Sequence, residues 1–248
     1  MILRFFQAMK MLALHYKVFQ KLLSFLPLGR LAFRISILIK RLSLLYGSWS
    51  QRAIEYPWVL RQLRLLKPGS IVLDVGCAES LLSHELVARK YKVVGIDIRE
   101  YPFKNNRMLF IKRNILCSNL PSEIFDGIIV VSTIEHIGLS AYGQNLLDDK
   151  GDIKAMKEFY RLLKPGGIIL ITTPYVGDEP FRISSFERNY NRERLTELIR
   201  EFNVDVCEYF YPLRHGKRLI WVKLDQRQIN KKTFREPGLA CLVLVRKH

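Results

Sequence analysis

Residues 51–248 alternate between short apolar runs and segments with a helical spacing of apolar positions. Five continuous apolar runs predict strands buried on both faces, as in a parallel sheet. They cover residues 71–75, 92–98, 108–112, 125–132 and 167–174. Helical patterns cover residues 53–66, 80–90 and 152–163, and Asn191 is placed to cap another helix that ends at Ile199. This alternation predicts an α/β fold with a Rossmann-like, doubly wound, mostly parallel sheet.

The chain after residue 200 is less regular. Apolar runs at 204–211 and 239–245 predict a late pair of strands. The residues between these runs form a basic excursion that contains Trp221. No composition shift or repeat divides residues 51–248, so we expect them to form one domain.

Residues 1–50 follow a different pattern, in which basic residues interrupt the apolar stretches. No stretch reaches the ~18 to 20 apolar residues that a membrane-spanning helix needs. Pro27 and Gly29 separate two predicted amphipathic helices. Each helix carries cations on one face, namely Lys10, Lys17 and Lys21 on the first and Arg30, Arg34 and Arg41 on the second. We therefore expect an N-terminal helical segment, residues 1–50, ahead of the domain.

The net charge of +17 comes mainly from the N-terminal part of the chain. Residues 1–67 contain twelve Lys or Arg residues and a single acid, Glu55. A cationic stripe opposite a wide apolar face suits an anionic membrane surface, which residues 1–45 would contact. The alternative is that these helices cap the sheet and expose their cations to water. RNA is a further candidate partner, because the whole chain is basic.

The four cysteines are far apart and lack the spacing of a zinc site or a disulfide framework. We therefore predict no metal site of this kind and a reducing compartment. The expected location is the cytoplasm, with peripheral association at the inner face of the membrane.

The ends of the first two predicted strands carry the chemistry of a nucleoside site. Gly76 follows the first strand, and Asp97 ends the second strand 21 residues later. In a βαβ unit these positions are neighbours, so a carboxylate can accept both ribose hydroxyls while the glycine turn lets the backbone approach the ligand. The G-x-G-x-x-G of dinucleotide-binding dehydrogenases is absent, because Ala78 and Leu81 occupy its second and third glycine positions.

Four motifs in this order resemble the class I S-adenosylmethionine-dependent methyltransferases across roughly residues 55 to 248. They read V-L-D-V-G-C, G-I-D-I, F-D-G-I-I-V-V-S-T-I-E-H-I and L-L-K-P-G-G-I-I-L-I-T-T-P. The resemblance implies a seven-stranded sheet with an antiparallel last strand, and S-adenosyl-L-methionine at the carboxyl ends of the first strands. More narrowly, S-T-I-E-H-I-G-L-S-A-Y-G and the helix after it resemble methyltransferases of glycan and surface-polysaccharide biosynthesis.

The resemblance also implies cofactor contacts along the chain. They are Asp74, Gly76 and Cys77 around the methionine moiety, Asp97 and Ile98 at the ribose, Asn114 and Ile115 at the adenine, and Ser132 and Thr133 beside the methyl group. Asn114 stands where the family commonly has an acid, and its carbonyl oxygen can still accept a hydrogen bond from the adenine amino group. Ala78 and Ser80 replace further glycines of the family turn, and a turn that needs positive φ would be strained there.

His136 and Glu135 follow the fourth strand, on the side where an acceptor should approach. A hydroxyl acceptor benefits from a general base, and His136 has the suitable ordinary pKa of ~6.5. The alternative for His136 is that it orients its loop by bonding a backbone carbonyl. Glu135 would support the cofactor or pair with His136. The loop residues Tyr142, Arg188 and Tyr190 are candidate acceptor contacts.

Asp148, Asp149 and Asp152 form an acidic group just before the third helix, and we interpret Asp152 as a helix cap rather than a magnesium ligand. With no metal assigned, these expectations combine into O-methylation of a sugar in a glycan or lipid-linked saccharide. The alternatives are an RNA methyltransferase and a non-catalytic, membrane-associated module that binds S-adenosylmethionine.

Overall fold

The computed structural model describes residues 51–103, 105–144, 147–215, 218–230 and 236–247. The predicted N-terminal helices, their membrane contact and the domain boundary at residue 50 lie outside the described residues and stay predictions. None of the helices within the described ranges has the length and apolar character needed to cross a membrane.

Ten strands are present in the described part of the chain. They are β1 (Ile71–Val75), β2 (Lys92–Asp97), β3 (Met108–Lys112), β4 (Phe125–Val131), β5 (Leu163–Tyr175), β6 (Arg182–Ile183), β7 (Arg188–Asn189), β8 (Phe202–His215), β9 (Arg218–Leu224) and β10 (Gly238–Arg246). Eight of them form one sheet in the order β3-β2-β1-β4-β5-β10-β8-β9, and β6 and β7 form a separate hairpin.

The strands from β3 to β5 run parallel to one another. Strand β10 is antiparallel to both of its neighbours, β5 and β8, as the resemblance implied for the last strand. The predicted Rossmann-like, mostly parallel fold is therefore confirmed. In such a sheet the carboxyl ends of β1, β2, β3 and β4 meet at one edge, where ligands bind in open α/β folds.

The prediction of seven strands in the sheet was wrong by one. The additional strand is β9, within the segment interpreted as a basic excursion, and it pairs antiparallel with Tyr209–His215 of β8. Its sequence R-L-I-W-V-K-L contains β-favouring residues, but the basic residues around it obscured the pattern. The local sequence did not predict β9 as a strand, and its hydrogen bonds to the long neighbouring strand β8 stabilise it.

Five α-helices complete the described fold. They are α1 (Arg52–Gln62), α2 (Leu82–Ala88), α3 (Gly151–Leu162), α4 (Arg192–Ile199) and α5 (Gln226–Asn230). Asn191 caps α4 as predicted, because its side chain accepts a hydrogen bond from the Arg194 backbone N–H. The predicted cap at Asp152 was wrong, since Lys150 is the residue that precedes α3 and Asp152 lies in its buried first turn.

The sheet separates two apolar clusters. Leu73 and Val75 of β1 belong to one cluster and Val72 to the other, because alternate side chains of a strand point to opposite faces. The first cluster includes residues of α3 and α4, and the second includes residues of α1 and α2. Helices thus cover both faces of the parallel strands, which makes the sheet doubly wound and leaves its carboxyl edge available for a site.

Candidate functional site

A pocket with about 620 Å³ of empty space opens at the carboxyl ends of β1 to β4. Nine of the residues predicted from the sequence line it. They are Gly76, Asp97, Ile98, Asn114, Ile115, Ser132, Thr133, His136 and Tyr142. The sequence interpretation missed other lining residues, including three cations, Arg52, Arg99 and Arg113.

The turn after β1 is shaped around Gly76. This glycine has a φ of 75°, in the left-handed region, and a Cβ at this position would lie 2.4 Å from Oγ1 and 2.5 Å from Cγ2 of Thr133. A side chain at position 76 is therefore disfavoured both by the left-handed backbone and by the clash with Thr133. Ser80 has a φ of −122°, and Ala78 also lacks a positive φ. The departure from the family's glycines at Ala78 and Ser80 consequently causes no backbone strain in this turn.

Asp97 ends β2 directly beside this turn. Its Oδ2 accepts a hydrogen bond from the Ala78 backbone N–H at 2.9 Å, and its Oδ1 accepts one from the Arg99 N–H at 2.9 Å. The Arg99 guanidinium also lies 3.3 Å from Oδ1 through its Nε. These contacts fix the carboxylate at the pocket wall. The sequence spacing between Gly76 and Asp97 therefore produces the predicted juxtaposition.

Asp74 and Cys77 lie beneath the turn and do not line the pocket. The Asp74 carboxylate accepts a hydrogen bond from the Ser83 hydroxyl at 2.6 Å, which ties β1 to α2. Burial raises the pKa of Asp74 to about 7 and raises the pKa of the fully buried Cys77 thiol above its usual range. Neither residue is among those that line the pocket, and the predicted place of Asp74 and Cys77 around the methionine moiety stays a prediction.

Asn114 lines the pocket immediately after β3. Its Oδ1 accepts a hydrogen bond from the Leu116 backbone N–H at 3.0 Å and so begins the short helical turn Ile115–Cys117. An amide oxygen has a second lone pair, and the amide nitrogen has two donors. Asn114 thus retains hydrogen-bonding capacity at the position where the resemblance places adenine.

Ser132 and the start of α1 meet at the floor of the pocket. The Ser132 hydroxyl and the Thr172 hydroxyl both donate to the buried Glu55 carboxylate, the latter at 2.6 Å. Arg52 donates to the same carboxylate at 3.0 Å and to the Val131 carbonyl at 3.2 Å. Ser132 has a φ of 41°, a conformation that costs a non-glycine residue energy and that concentrates at functional sites.

His136 is at the end of a short helical turn, Ile134–His136, and its imidazole lines the pocket. Its Nδ1 lies 2.7 Å from the Phe186 carbonyl oxygen, and since a carbonyl only accepts, Nδ1 must carry the hydrogen. Burial lowers the pKa of His136 from its ordinary value of 6.5, so the ring is neutral at pH 7. In that state Nε2 holds a lone pair that can accept a proton.

Two aromatic side chains surround the imidazole at the mouth of the pocket. The ring centroid of His136 lies 5.2 Å from that of Tyr142 and 4.8 Å from that of Phe186. Both aromatic residues are partly exposed. The Arg99 guanidinium covers the Tyr142 ring at 4.2 Å. The mouth therefore combines apolar ring surface with a cation close to the imidazole.

Glu135 lies behind His136 and does not line the pocket. Its Oε1 is 3.9 Å from the His136 Nε2, and the Thr173 hydroxyl is 3.4 Å from its Oε2. Burial raises the pKa of Glu135 to about 8, so the carboxyl is mainly protonated at pH 7. The structure thus places Glu135 adjacent to His136, which is one of the two predicted alternatives, and support of the cofactor by Glu135 stays a prediction.

Arg188 and Tyr190 are completely buried, which corrects the predicted acceptor contacts at both positions. The Tyr190 hydroxyl donates to the Asp152 carboxylate at 3.0 Å. The Arg188 guanidinium donates to backbone carbonyls, including that of Ile137 at 2.8 Å. A charged residue in a loop pattern was expected at the surface, but backbone carbonyls bind both terminal nitrogens of this guanidinium inside the protein.

The fold is Rossmann-like, with a pocket at the carboxyl edge of its parallel strands. In agreement, a family model described as "Methyltransferase domain" matches residues 46–218. The chain belongs to this methyltransferase family. The predicted membership of the class I S-adenosylmethionine-dependent methyltransferases is therefore confirmed. S-adenosylmethionine is the cofactor of this domain.

Relatives with assigned names support the same family. A probable S-adenosylmethionine-dependent methyltransferase of Mycolicibacterium smegmatis is 27% identical over 198 residues, 72% of each chain. A ubiquinone biosynthesis O-methyltransferase of Pseudomonas paraeruginosa is 30% identical over 115 residues. That match covers 42% of this chain and 44% of the relative, so the chain spans less than half the length of that O-methyltransferase.

Solved structures show the same fold at low sequence identity. One is the 1,6-didemethyltoxoflavin-N1-methyltransferase of Burkholderia thailandensis, determined with bound 1,6-didemethyltoxoflavin and S-adenosylhomocysteine. Its TM-score is 0.58 at 15% identity, with 90% of this chain and 91% of that chain covered. This likeness supports the fold.

Proposed function

We propose that this chain transfers a methyl group from S-adenosylmethionine to a hydroxyl oxygen of its acceptor. The observation that carries the proposal is the meeting of two features in one pocket. One is the Gly76 turn beside the Asp97 carboxylate, and the other is the neutral imidazole of His136 with Nδ1 bonded to a carbonyl. The first suits a nucleoside cofactor, and the second suits deprotonation of a hydroxyl.

The residues of the pocket fit S-adenosylmethionine. Gly76 lines the pocket without a side chain, so the backbone of the turn can approach a ligand closely, and Asp97 provides acceptors for the ribose hydroxyls. Asn114 and Ile115 provide polar and apolar contacts for adenine. Arg52 is a cation near the end of β4 that can pair with the carboxylate of the methionine moiety. When bound, the cofactor supplies an electrophilic methyl group on a sulfonium centre.

The protein's own residues align the acceptor hydroxyl with the methyl group and accept its proton. Methyl transfer is an in-line displacement, so the protein gains most by orienting the acceptor oxygen and excluding water. Ser132 and Thr133 border the position proposed for the methyl group. His136 Nε2 then takes the proton that the hydroxyl loses as it attacks.

For the acceptor we propose a sugar of a glycan or lipid-linked saccharide. Tyr142 and Phe186 present partly exposed ring faces beside His136, and such faces pack well against the C–H surface of a pyranose. The resemblance at residues 132–143 to glycan-associated methyltransferases supports the same class. A membrane contact through residues 1–45 would bring the enzyme to a lipid-linked acceptor.

A phenolic hydroxyl is the second candidate acceptor. The match to ubiquinone biosynthesis O-methyltransferases favours it, and an aromatic mouth can stack on a phenol ring. RNA is the third candidate, supported by the charge of +17. A non-catalytic binding module is disfavoured by the unstrained turn at Ala78 and Ser80.

Transfer of the labelled methyl group of S-adenosylmethionine tests the reaction directly. Panels of lipid-linked saccharides, catechols and RNA are incubated with the full chain, and label in the products identifies the acceptor class. His136→Ala should abolish most turnover, whereas His84→Ala, a histidine outside the pocket, should not. Full turnover in the His136→Ala variant at saturating acceptor would overturn the role of His136 as base.

The membrane proposal has a separate test. Vesicles that contain anionic phospholipid are sedimented with the full chain and with a variant that lacks residues 1–50. We expect binding by the full chain, weaker binding at high salt, and loss of binding after truncation. Equal binding by the truncated variant would refute a contact through residues 1–45.

A further inference from the structure

The β6–β7 hairpin contacts both His136 and the two residues that flank it. At the turn of the hairpin, the Phe186 carbonyl accepts the hydrogen of the imidazole Nδ1 at 2.7 Å. In β7, directly after the turn, the Arg188 guanidinium donates to the Glu135 carbonyl at 3.3 Å and to the Ile137 carbonyl at 2.8 Å. These are the residues on either side of His136. One short hairpin therefore holds both the ring and the backbone of the candidate base.

Hydrogen bonds fix the turn that carries the Phe186 carbonyl. Within the turn, the Ser184 hydroxyl oxygen accepts from the Phe186 N–H at 3.2 Å and from the Glu187 N–H at 3.0 Å. From outside the hairpin, the Ser140 hydroxyl donates to the Ser185 carbonyl at 2.8 Å. Ser140 lies in the loop just after His136, so this bond joins the loop of the imidazole to the turn that orients it.

Arg188 has further partners that explain its burial. Its Nη2 donates to the Asp149 carbonyl at 3.0 Å and lies 3.3 Å from the Asp148 carbonyl, and its Nε is 3.7 Å from the Asp152 carboxylate. Burying a cation costs free energy unless the cation is paired and hydrogen-bonded. The planar guanidinium of Arg188 binds carbonyls of two loops at once. A lysine has one nitrogen at its tip and cannot span these carbonyls in the same way.

We propose that Arg188 and Ser140 are positioning residues that hold His136 as the Nδ1–H tautomer, with its Nε2 lone pair free for the acceptor hydroxyl. The proposal rests on the proposed role of His136 as general base, which it deepens. A role in stability alone would leave the tautomer unchanged when either residue is replaced without unfolding. The tautomer is therefore the measurement that separates positioning from packing.

The experiment uses the full chain labelled with ¹⁵N at histidine. Two-bond ¹H–¹⁵N spectra at pH 7.5 distinguish the two neutral tautomers, and His136→Gln identifies the His136 signals. The wild type should show His136 as one Nδ1–H tautomer. Ser140→Ala should add the Nε2–H form, and Arg188→Lys should do so more strongly. Ser122→Ala, at an exposed serine that accepts from Arg161 far from the hairpin, is the matched control and should match the wild type.

A wild-type tautomer in folded Ser140→Ala protein would overturn the proposal, even if Arg188→Lys fails to fold. With an accepted substrate, Ser140→Ala should also lower kcat about tenfold while the KM for S-adenosylmethionine stays the same, because the base would be in the productive tautomer for only part of the time. The spectra need no acceptor. A changed tautomer together with full turnover in His136→Ala would refute the proposed function and leave the positioning effect intact.

Discussion

Gly76→Ala is the substitution whose cost the structure defines most closely. The new methyl group would lie 2.4 Å from Oγ1 and 2.5 Å from Cγ2 of Thr133, well inside van der Waals contact. Thr133 is short and branched at Cβ, so it has little freedom to move away. Alanine would also have to adopt a φ of 75°. Two separate penalties therefore act at one position.

The two penalties have different sizes and a control separates them. The left-handed backbone costs an alanine about 1–2 kcal/mol. Overpacking against Thr133 adds about 1–3 kcal/mol. Gly69 has a φ of 89° with nothing within 4 Å of an added Cβ, so Gly69→Ala should show the backbone penalty alone. We expect Gly76→Ala to lower the free energy of unfolding by about 2–5 kcal/mol and Gly69→Ala by about 1–2 kcal/mol.

Urea denaturation monitored by circular dichroism gives these free energies of unfolding. Thr133→Ala in the Gly76→Ala background should recover part of the loss, because it removes both clashing atoms, while the backbone penalty remains. The reasoning is refuted if Gly76→Ala costs no more than Gly69→Ala. It is also refuted if the double variant is less stable than the sum of the two single effects predicts.

Four further predictions concern the ionisable groups and the hydroxyls of the site. His136→Ala should lower kcat by about 10²–10⁴ with an unchanged Kd for S-adenosylmethionine, measured by calorimetry, and a large loss of cofactor affinity would contradict the role of base. Since burial lowers the pKa of His136, kcat should fall with acidification only below pH 6.5, and a half-maximum above that value in the pH profile would count against the assignment. Glu135 keeps its proton in the folded state up to a pKa of about 8 but loses it near 4.5 when unfolded, so the wild type loses stability as the pH rises through this window. Glu135→Gln should lose less stability than the wild type between pH 5 and pH 8 in urea titrations, and parallel curves would refute the burial effect. Thr172→Val should destabilise the folded state by about 1–3 kcal/mol because the Glu55 carboxylate loses a buried donor, and an unchanged midpoint would contradict that role.

The parts of the fold that the sequence predicted are those with strong local signals. The predicted apolar runs in β1, β2, β4 and β5 are largely buried, because helices cover parallel strands on both faces. The pairing of Gly76 with Asp97 was predictable for a topological reason, since a βαβ unit returns the second strand beside the first turn. Strand β9 was missed because it is an edge strand with basic neighbours and depends on pairing with β8.

The site residues that were missed or misassigned depend on contacts between distant parts of the chain. Arg188 looked like an exposed cation, yet the carbonyls that satisfy it come from loops about 40 to 50 residues earlier. Arg52 and Glu55 reach the pocket floor through Ser132, 77 residues beyond Glu55, and no spacing rule connects these positions. His136 illustrates the remaining limit. The sequence predicted His136 either as a general base or as a residue that orients its loop. In the structure Nδ1 bonds the Phe186 carbonyl, which is the orienting contact, and Nε2 stays available to act as a base.

Calorimetric titration with S-adenosylmethionine tests the central claim most directly. The full chain should bind one equivalent of the cofactor. Asp97→Ala should weaken binding by more than tenfold, since each hydrogen bond from a ribose hydroxyl to the carboxylate contributes about 1.5–3 kcal/mol. Asp178→Ala, at an exposed carboxylate paired with Arg192, should bind like the wild type. Failure of well-folded wild-type protein to bind the cofactor, or undiminished affinity in Asp97→Ala, would contradict the account.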